Sequence, residues 1–366
     1  MISTAVAFFI SGHGYGHAAR SCAVMEAMYN RNADVMFHIF TDANRDFFEE
    51  SLPFPFQYYP VQTDVGMVQN SPFEADMEAT LAALDSFLPL DDRARELASE
   101  MHQLQCKAVV SDISPLGLQA AKKAHLPSFL LENFTWEWIY EEYTEQWPQF
   151  HPYITSLRNI YEDEHFTRLR AIPNAQPGRE GIPIEPISRG TRSSPEDIKT
   201  QLGLAGEKRP IVLITVGGIQ EKHHFLDHLE EKQDFFFLIP GQSEKITQSN
   251  NILSLPHHSD FHHPDLVNAA ELVVGKLGYS TLSEAHNMKK PFLFVKRSRF
   301  KETPVMEQFV MNNMAARGIT DAEFRNGSWL QSLKPFYREA GQTIDKKRIT
   351  KNGKHKAAEI ILDSLN

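Results

Sequence analysis

Val274-Gly275-Lys276-Leu277-Gly278-Tyr279-Ser280-Thr281-Leu282-Ser283-Glu284-Ala285 decides how this chain is read. The run Glu271-Leu272-Val273-Val274 leads into it, and the spacing predicts a helix opening at Ser280/Thr281. A strand, a glycine turn and hydroxyl residues at a helix start make an anion site. Free backbone N–H groups and the positive end of the helix dipole face the ligand together. Glu284 falls one turn further in, on nearly the same face as Ser280, where a carboxylate accepts hydrogen bonds from sugar hydroxyls. Phosphate held beside a diol describes a nucleotide.

The same order of strand, glycine loop and helix opens the chain. Residues 5–10 are a short continuous apolar run, as expected of a strand buried on both faces. Residues 11–16 are a loop, 17–29 have helical spacing and 35–40 are the next strand, which makes a βαβ unit and implies a parallel sheet. A second unit runs through residues 108–112, a helix over 116–124 and a strand at 128–131. From 173 to 195 prolines and glycines crowd together without helical period, which reads as an interdomain linker. Further strands are predicted at 211–216, 235–239, 252–255, 272–274 and 292–295, and a terminal helix over 346–365. The expected class is α/β: two facing Rossmann-like, doubly wound domains, residues 1–186 and 187–366, with the terminal helix in the second. Their strand-end loops would line a cleft, where ligands bind in such sheets.

Composition narrows the partners. A length of 366 residues suits two domains, each large enough for its own core. The net charge of −10 argues against nucleic acid or an acidic membrane as partner. Against that background Lys296-Arg297-Ser298-Arg299-Phe300-Lys301 is either a solvated loop or one that faces phosphate. Cys22 and Cys106 make no disulfide framework and read as reduced, buried thiols, so a cytoplasmic location is expected. The apolar start lacks a basic leader and reads as a strand rather than a signal peptide. No run of about 18 apolar residues spans a membrane, so no integral membrane contact is expected.

The first glycine loop, Ser11-Gly12-His13-Gly14-Tyr15-Gly16-His17-Ala18-Ala19-Arg20, admits two readings. One is a nicotinamide dehydrogenase with Asp42 on a ribose, but the spacing is G-x-G-x-G rather than G-x-G-x-x-G. The other places His17, where loop turns into helix, as general base for a sugar or alcohol hydroxyl. Capping or core packing is the plainer role for that histidine. His13 and Gly14 are candidate acceptor-binding residues. Asp112 ends a strand and either pairs with His17, by triad logic without a nucleophile, or caps the helix that follows. Gly217-Gly218 lets backbone N–H groups approach phosphate, or is an ordinary turn. His257-His258-Ser259-Asp260-Phe261-His262-His263 has neither the helical spacing nor the cysteines of a metal site, and no metal is expected. In Asn133-Phe134-Thr135-Trp136-Glu137-Trp138, Asn133 and Trp136 suit an acceptor, while the aromatic stripe also fits a core.

Residues 256–312 resemble the nucleotide-sugar signature of uridine-diphosphate-dependent glycosyltransferases of the GT-B fold. In register, Lys276 stands for that signature's histidine, then come Gly278, Tyr279 for tryptophan, Ser280, Thr281 and Glu284, with Glu307-Gln308 and Asn312 completing it. The resemblance implies that Glu284 binds ribose hydroxyls. It also implies that Lys276, Ser280 and Thr281 hold the diphosphate, that Glu307 and Gln308 bind the donor sugar, and that the base lies near His257/His258. Gly16-His17 matches the family's loop, whose histidine is the general base paired with an aspartate matching Asp112. Retaining enzymes of this fold carry glutamate where Lys276 stands, so an inverting, metal-independent hexosyltransferase is implied. It would take a nucleotide sugar as co-substrate, no cofactor, and a small-molecule or glycan acceptor. Gly-His-Gly-Tyr-Gly-His-Ala-x-Arg, Asn-Phe-x-Trp-x-x-Ile-Tyr and Gly-Lys-x-Gly-Tyr-x-Thr-x-Ser-Glu-Ala are also similar to the glycosyltransferase-like half of arabinokinase-type sugar kinases. A nucleotide-sugar 2-epimerase and a noncatalytic sugar-nucleotide-binding protein are the alternatives of the same fold.

Overall fold

Apolar runs buried on both faces build two separate sheets. The computed structural model describes residues 4–71, 74–176, 178–215, 225–256, 259–296, 300–343 and 351–365. The first half contributes β1 (Thr4–Ile10), β2 (Val35–Thr41), β3 (Phe56–Pro60), β4 (Gln69–Ser71), β5 (Glu74–Ala75), β6 (Cys106–Asp112), β7 (Ser128–Glu132), β8 (Thr167–Ala171) and β9 (Ile182–Ile184). The second contributes β10 (Ile211–Thr215), β11 (Phe236–Ser243), β12 (Thr247–Ser249), β13 (Ile252–Pro256), β14 (Leu272–Lys276), β15 (Phe292–Val295) and β16 (Ala316–Ile319).

Strand order is β3-β2-β1-β6-β7-β8-β9 in one sheet and β12-β13-β11-β10-β14-β15-β16 in the other, while β4 and β5 form a small pair apart. Within the two sheets every pairing is parallel except β12 with β13. Alternation along β10 shows why a continuous apolar run is needed. Ile211 and Leu213 enter one core, while Val212 and Ile214 enter the core on the opposite face. Both sheets start in the middle and wind outward in two directions. The switch points fall at β1/β6, where Ile10 faces Asp112, and at β10/β14, where Thr215 faces Gly275. Crevices at the carboxyl ends of such strands are where doubly wound sheets bind ligands.

Two expectations are corrected here. The chain divides into Met1–Ser188 with Asn352–Asn366, and Arg189–Lys351, so the terminal helix belongs to the first unit and not the second. That helix, Lys354–Asp363, buries Ala357, Ala358 and Ile361 completely and packs on Tyr15–Arg31, with Lys354 Nζ 2.6 Å from Glu26 Oε2. Gly353 makes the approach possible, because a Cβ there would stand 2.0 Å from the Glu185 carbonyl oxygen. The stretch expected as linker also hides an edge strand, β9, paired parallel with β8. Pro183 is tolerated in it because an edge strand has one side without ladder bonds. Among the described residues no helix is long and apolar enough to cross a membrane. Cys22 and Cys106 are both buried.

Candidate functional site

The first switch point gathers a histidine, an aspartate and an arginine. Gly14, at φ 73°, caps the helix Tyr15–Arg31, a conformation that favours glycine, and this turn puts His17 in the first helical turn. His17 Nδ1 lies 2.8 Å from Asp112 Oδ1 at the end of β6. Arg20, one turn on, donates through Nε to Asp112 Oδ2 at 2.9 Å and through Nη2 to Oδ1 at 2.5 Å, and Ser21 Oγ donates to Oδ2 at 3.0 Å. His17, Arg20 and Asp112 are 7%, 1% and 0% exposed. Burial alone would raise the Asp112 carboxyl, but the Arg20 charge and the bonds from Arg20 and His17 hold it below the usual carboxylate range. Burial pulls the His17 imidazole down despite the Asp112 bond, so the ring is neutral at pH 7. With Asp112 ionised, the ring proton sits on Nδ1 and Nε2 carries a lone pair. Arg20 Nη2 also approaches Nδ1 at 3.2 Å, but neither group then has a lone pair to accept, so this is a contact and not a bond.

Helix capping is excluded for Asp112. Ser114 caps Pro115–Ala124, accepting from Gly117 N at 3.0 Å. Among the proposed acceptor residues, Gly14 is exposed and His13 is half-buried, its ring edge-on to Trp136 at 5.1 Å. Asn133 and Trp136, expected on the acceptor side, are each 1% exposed. Asn133 Oδ1 accepts from Arg20 Nη1 at 2.6 Å, and Trp136 Nε1 donates to Asp64 Oδ2 at 2.8 Å. They hold other site residues in place. Asp64 itself carries no motif in the sequence; burial, against bonds from Ser11 and Trp136 and with Asp42 and Asp112 adding to it, pushes its carboxyl to about 7.

The second switch point is built on glycine as well. A Cβ on Gly275 would fall 2.1 Å from the Thr215 carbonyl oxygen, so glycine lets β14 close on β10, with Lys276 the next residue, opposite Val295 of β15. The helix predicted at Ser280/Thr281 runs Tyr279–Asn287, and its cap residue Gly278 supplies no side-chain bond to the first turn. Ser280, Thr281 and Lys276 are half-buried and Tyr279 is buried. Glu284, 1% exposed, receives Arg189 Nη2 on Oε1 at 3.0 Å and lies 2.9 Å from His263 Nδ1 through Oε2. Burial would raise this carboxyl, yet the charges and bonds of Arg189 and His263 bring it down to about 2. His263 Nε2 is 3.1 Å from Thr215 Oγ1. Glu307 pairs with Lys296 at 2.6 Å and Gln308 is exposed. Gly217, Gly218, His257, His258 and 297–299 lie outside the described residues.

Sequence reasoning missed Arg20, Asp64, Arg189 and Thr215 as site residues, and placed His263 only in a histidine run. Arg20 had a signal, since it follows His17 by three positions, one helical turn. Arg189 had none, because it reaches Glu284 across 95 positions of sequence.

No protein-family description matches the chain. Among curated proteins it is similar to L-arabinokinase of Arabidopsis thaliana, 29% identical over 347 residues that make up 90% of this chain. The chain spans 32% of that protein's length. Among solved structures it resembles CalG4, the calicheamicin glycosyltransferase, at TM-score 0.65 and 14% identity over 100% of this chain and 99% of that one. It also resembles Arabidopsis thaliana UGT89C1 complexed with UDP, at TM-score 0.63 and 14% identity over 99% of both chains. At such identities the likeness is one of fold, and the fold of this chain is the α/β, two-domain GT-B fold of glycosyltransferases.

Proposed function

We propose that the chain is an inverting glycosyltransferase that moves a sugar from a nucleotide-diphosphate sugar, a uridine diphosphate sugar in the first instance, to an acceptor hydroxyl. The observation that carries this is the neutral, buried His17 held on an ionised Asp112 by way of Nδ1, which leaves Nε2 as the base. His17 Nε2 takes the proton of the acceptor hydroxyl as its oxygen bonds to the anomeric carbon. The bond from that carbon to the diphosphate breaks on the opposite face, and its electron pair leaves with the phosphate oxygen. A single displacement inverts the anomeric centre. Asp112 stabilises the imidazolium formed, and Arg20 keeps Asp112 ionised and aimed.

On the donor side, Lys276, Ser280 and Thr281 meet the diphosphate at the start of the helix Tyr279–Asn287, in an oxyanion-type role, joined by the Gly217-Gly218 loop. Lysine and the helix start supply positive charge to the leaving group. Glu284 marks the ribose subsite, Glu307 and Gln308 the donor sugar, and His257 the base. His13 and Gly14 lie on the acceptor side. Solved structures of the fold neighbour UGT89C1 with UDP and with quercetin support a nucleotide donor and a small-molecule acceptor.

A second reading, sugar-nucleotide binding without transfer, is favoured by the similarity to 32% of the length of L-arabinokinase, a protein named for another reaction. Thermal stabilisation by a panel of nucleotides and nucleotide sugars tests both, with wild type beside Glu284→Ala. A shift with uridine diphosphate that the variant loses is expected, followed by acceptor-dependent turnover that His17→Ala lacks. Binding without turnover supports the second reading, and product without an acceptor points to the 2-epimerase. No shift of the folded wild type with any nucleotide refutes the transferase.

A further inference from the structure

Glu284 carries the ribose subsite, and its two oxygens are not equally open. Arg189 reaches Oε1 twice, through Nε at 3.3 Å and through Nη2 at 3.0 Å. His263 Nδ1 lies 2.9 Å from Oε2. The direction of all three bonds is fixed. A guanidinium has only N–H groups to offer. A carboxylate held to about 2 is ionised at neutral pH and only accepts, so Nδ1 carries a hydrogen whatever the charge of the ring.

The places left on the carboxylate can then be counted. An ionised carboxylate offers about four lone-pair sites, shared equally by its oxygens. Arg189 occupies both on Oε1, and His263 occupies one of those on Oε2. One site remains, where a pair of neighbouring ribose hydroxyls needs two. Exposure shows from which side it is reached. The Arg189 side chain is 11% exposed and that of Glu284 2%, whereas that of His263 is 28% exposed. The opening to solvent lies over the oxygen that His263 shares, and the guanidinium closes the other.

We infer that Arg189 is a specificity-determining residue of the ribose subsite: by filling Oε1 it leaves Glu284 one ribose hydroxyl to bind, so the site takes nucleoside diphosphates that lack the other. This rests on reading the second unit as a nucleotide-diphosphate site. A carboxylate with both oxygens open would grip the two hydroxyls together and reject a nucleotide missing either. The fold holds the arginine to this task. Arg189 is the first residue of the unit, and the segment behind it is tied down. His262 Nε2 donates to the Gly190 carbonyl at 3.1 Å, and Asp265 Oδ1 accepts from Arg192 N at 2.7 Å and Ser193 N at 3.3 Å. His262 caps the helix His263–Ala269 and Asp265 lies in it, so Arg189 is anchored through the same helix that carries His263.

Titration calorimetry with uridine diphosphate and its 2′-deoxy and 3′-deoxy analogues tests the assignment. Wild type is expected to bind one analogue about 10- to 100-fold more weakly than uridine diphosphate, the loss of a bond to a charged acceptor, and the other within about threefold. In Arg189→Met, which opens Oε1, both analogues bind more weakly than uridine diphosphate. Wild type that treats the two analogues alike, whether both bind as tightly as uridine diphosphate or both more weakly, overturns the assignment and leaves the nucleotide site standing. So does an Arg189→Met protein that discriminates between them as wild type does. Failure of the folded wild type to bind uridine diphosphate overturns both.

Discussion

Each unit sets a histidine Nδ1 against a carboxylate that an arginine also grips, and the two constructions differ in what they leave open. In the first unit His17 and Arg20 share one helix, so a single turn aims both at Asp112 on the end of β6. In the second, His263, Glu284 and Arg189 come from two helices and the segment that enters the unit. Asp112 takes Arg20 on both oxygens, while Glu284 takes Arg189 on one and His263 on the other. The far nitrogen also differs. His263 Nε2 meets Thr215, so its ring is a link in a row, whereas the His17 ring is fixed through Nδ1 alone among the bonds described. A histidine fixed at one nitrogen suits proton abstraction; a histidine bonded at both suits relaying a change between its neighbours.

The sharpest break comes from removing one imidazole. His17→Ala is expected to lower kcat for sugar transfer about 10²–10⁴-fold while uridine diphosphate binds as before, read by steady-state kinetics beside calorimetry. Weakened nucleotide binding in this variant would move His17 to the donor side and dissolve the contrast.

Next in size is the arginine. Arg20→Met leaves Asp112 buried without its charge partner and is expected to cost about 3–5 kcal/mol in denaturant unfolding of the first unit. Arg189→Met costs less, because its side chain is 11% exposed and Glu284 keeps His263. Equal losses would mean that the two clusters bear load alike.

The smallest effect separates the carboxylates by pH. Glu284 is lowered from 4.5 to about 2 in the folded chain, so its contribution to stability is complete above about 4.5 and fades as pH falls toward about 2. Over that window wild type should lose stability by up to about 1.4 kcal/mol per pH unit more steeply than Glu284→Gln, followed by chemical denaturation. Parallel curves would show that Arg189 and His263 do not hold the ionised form.

The fold was legible because its signals are local. The apolar runs that became β1, β10, β14 and β15 sit beside glycine turns, and period and punctuation alone separate strand from helix there. β9 was hidden because an edge strand of three residues containing Pro183 resembles a linker in every local respect. The His17–Asp112 pair was legible through two motifs and the rule that neighbouring strand ends share a crevice. The Trp136–Asp64 bond has no local signal, because an indole with a buried carboxylate partner and an indole open to ligand have the same sequence. Arg189 and Asp64 act across long separations, 95 positions to Glu284 and 72 to Trp136, and nothing local marks them.

Asn352 donates to the Ser188 carbonyl at 2.9 Å and to Ser188 Oγ at 3.0 Å, and accepts from Ser188 N at 3.3 Å. The two places where the chain leaves and rejoins the first unit are therefore buttoned together. Topologically, Arg189–Lys351 is an insertion with adjoining ends, a cassette set into a host. Such a cassette can be cut out and expressed alone, or exchanged for one from another chain, with the host closed by a short bridge from Ser188 to Asn352. By that geometry an exchange of Arg189–Lys351 leaves the chain path of the unit that carries His17 unbroken.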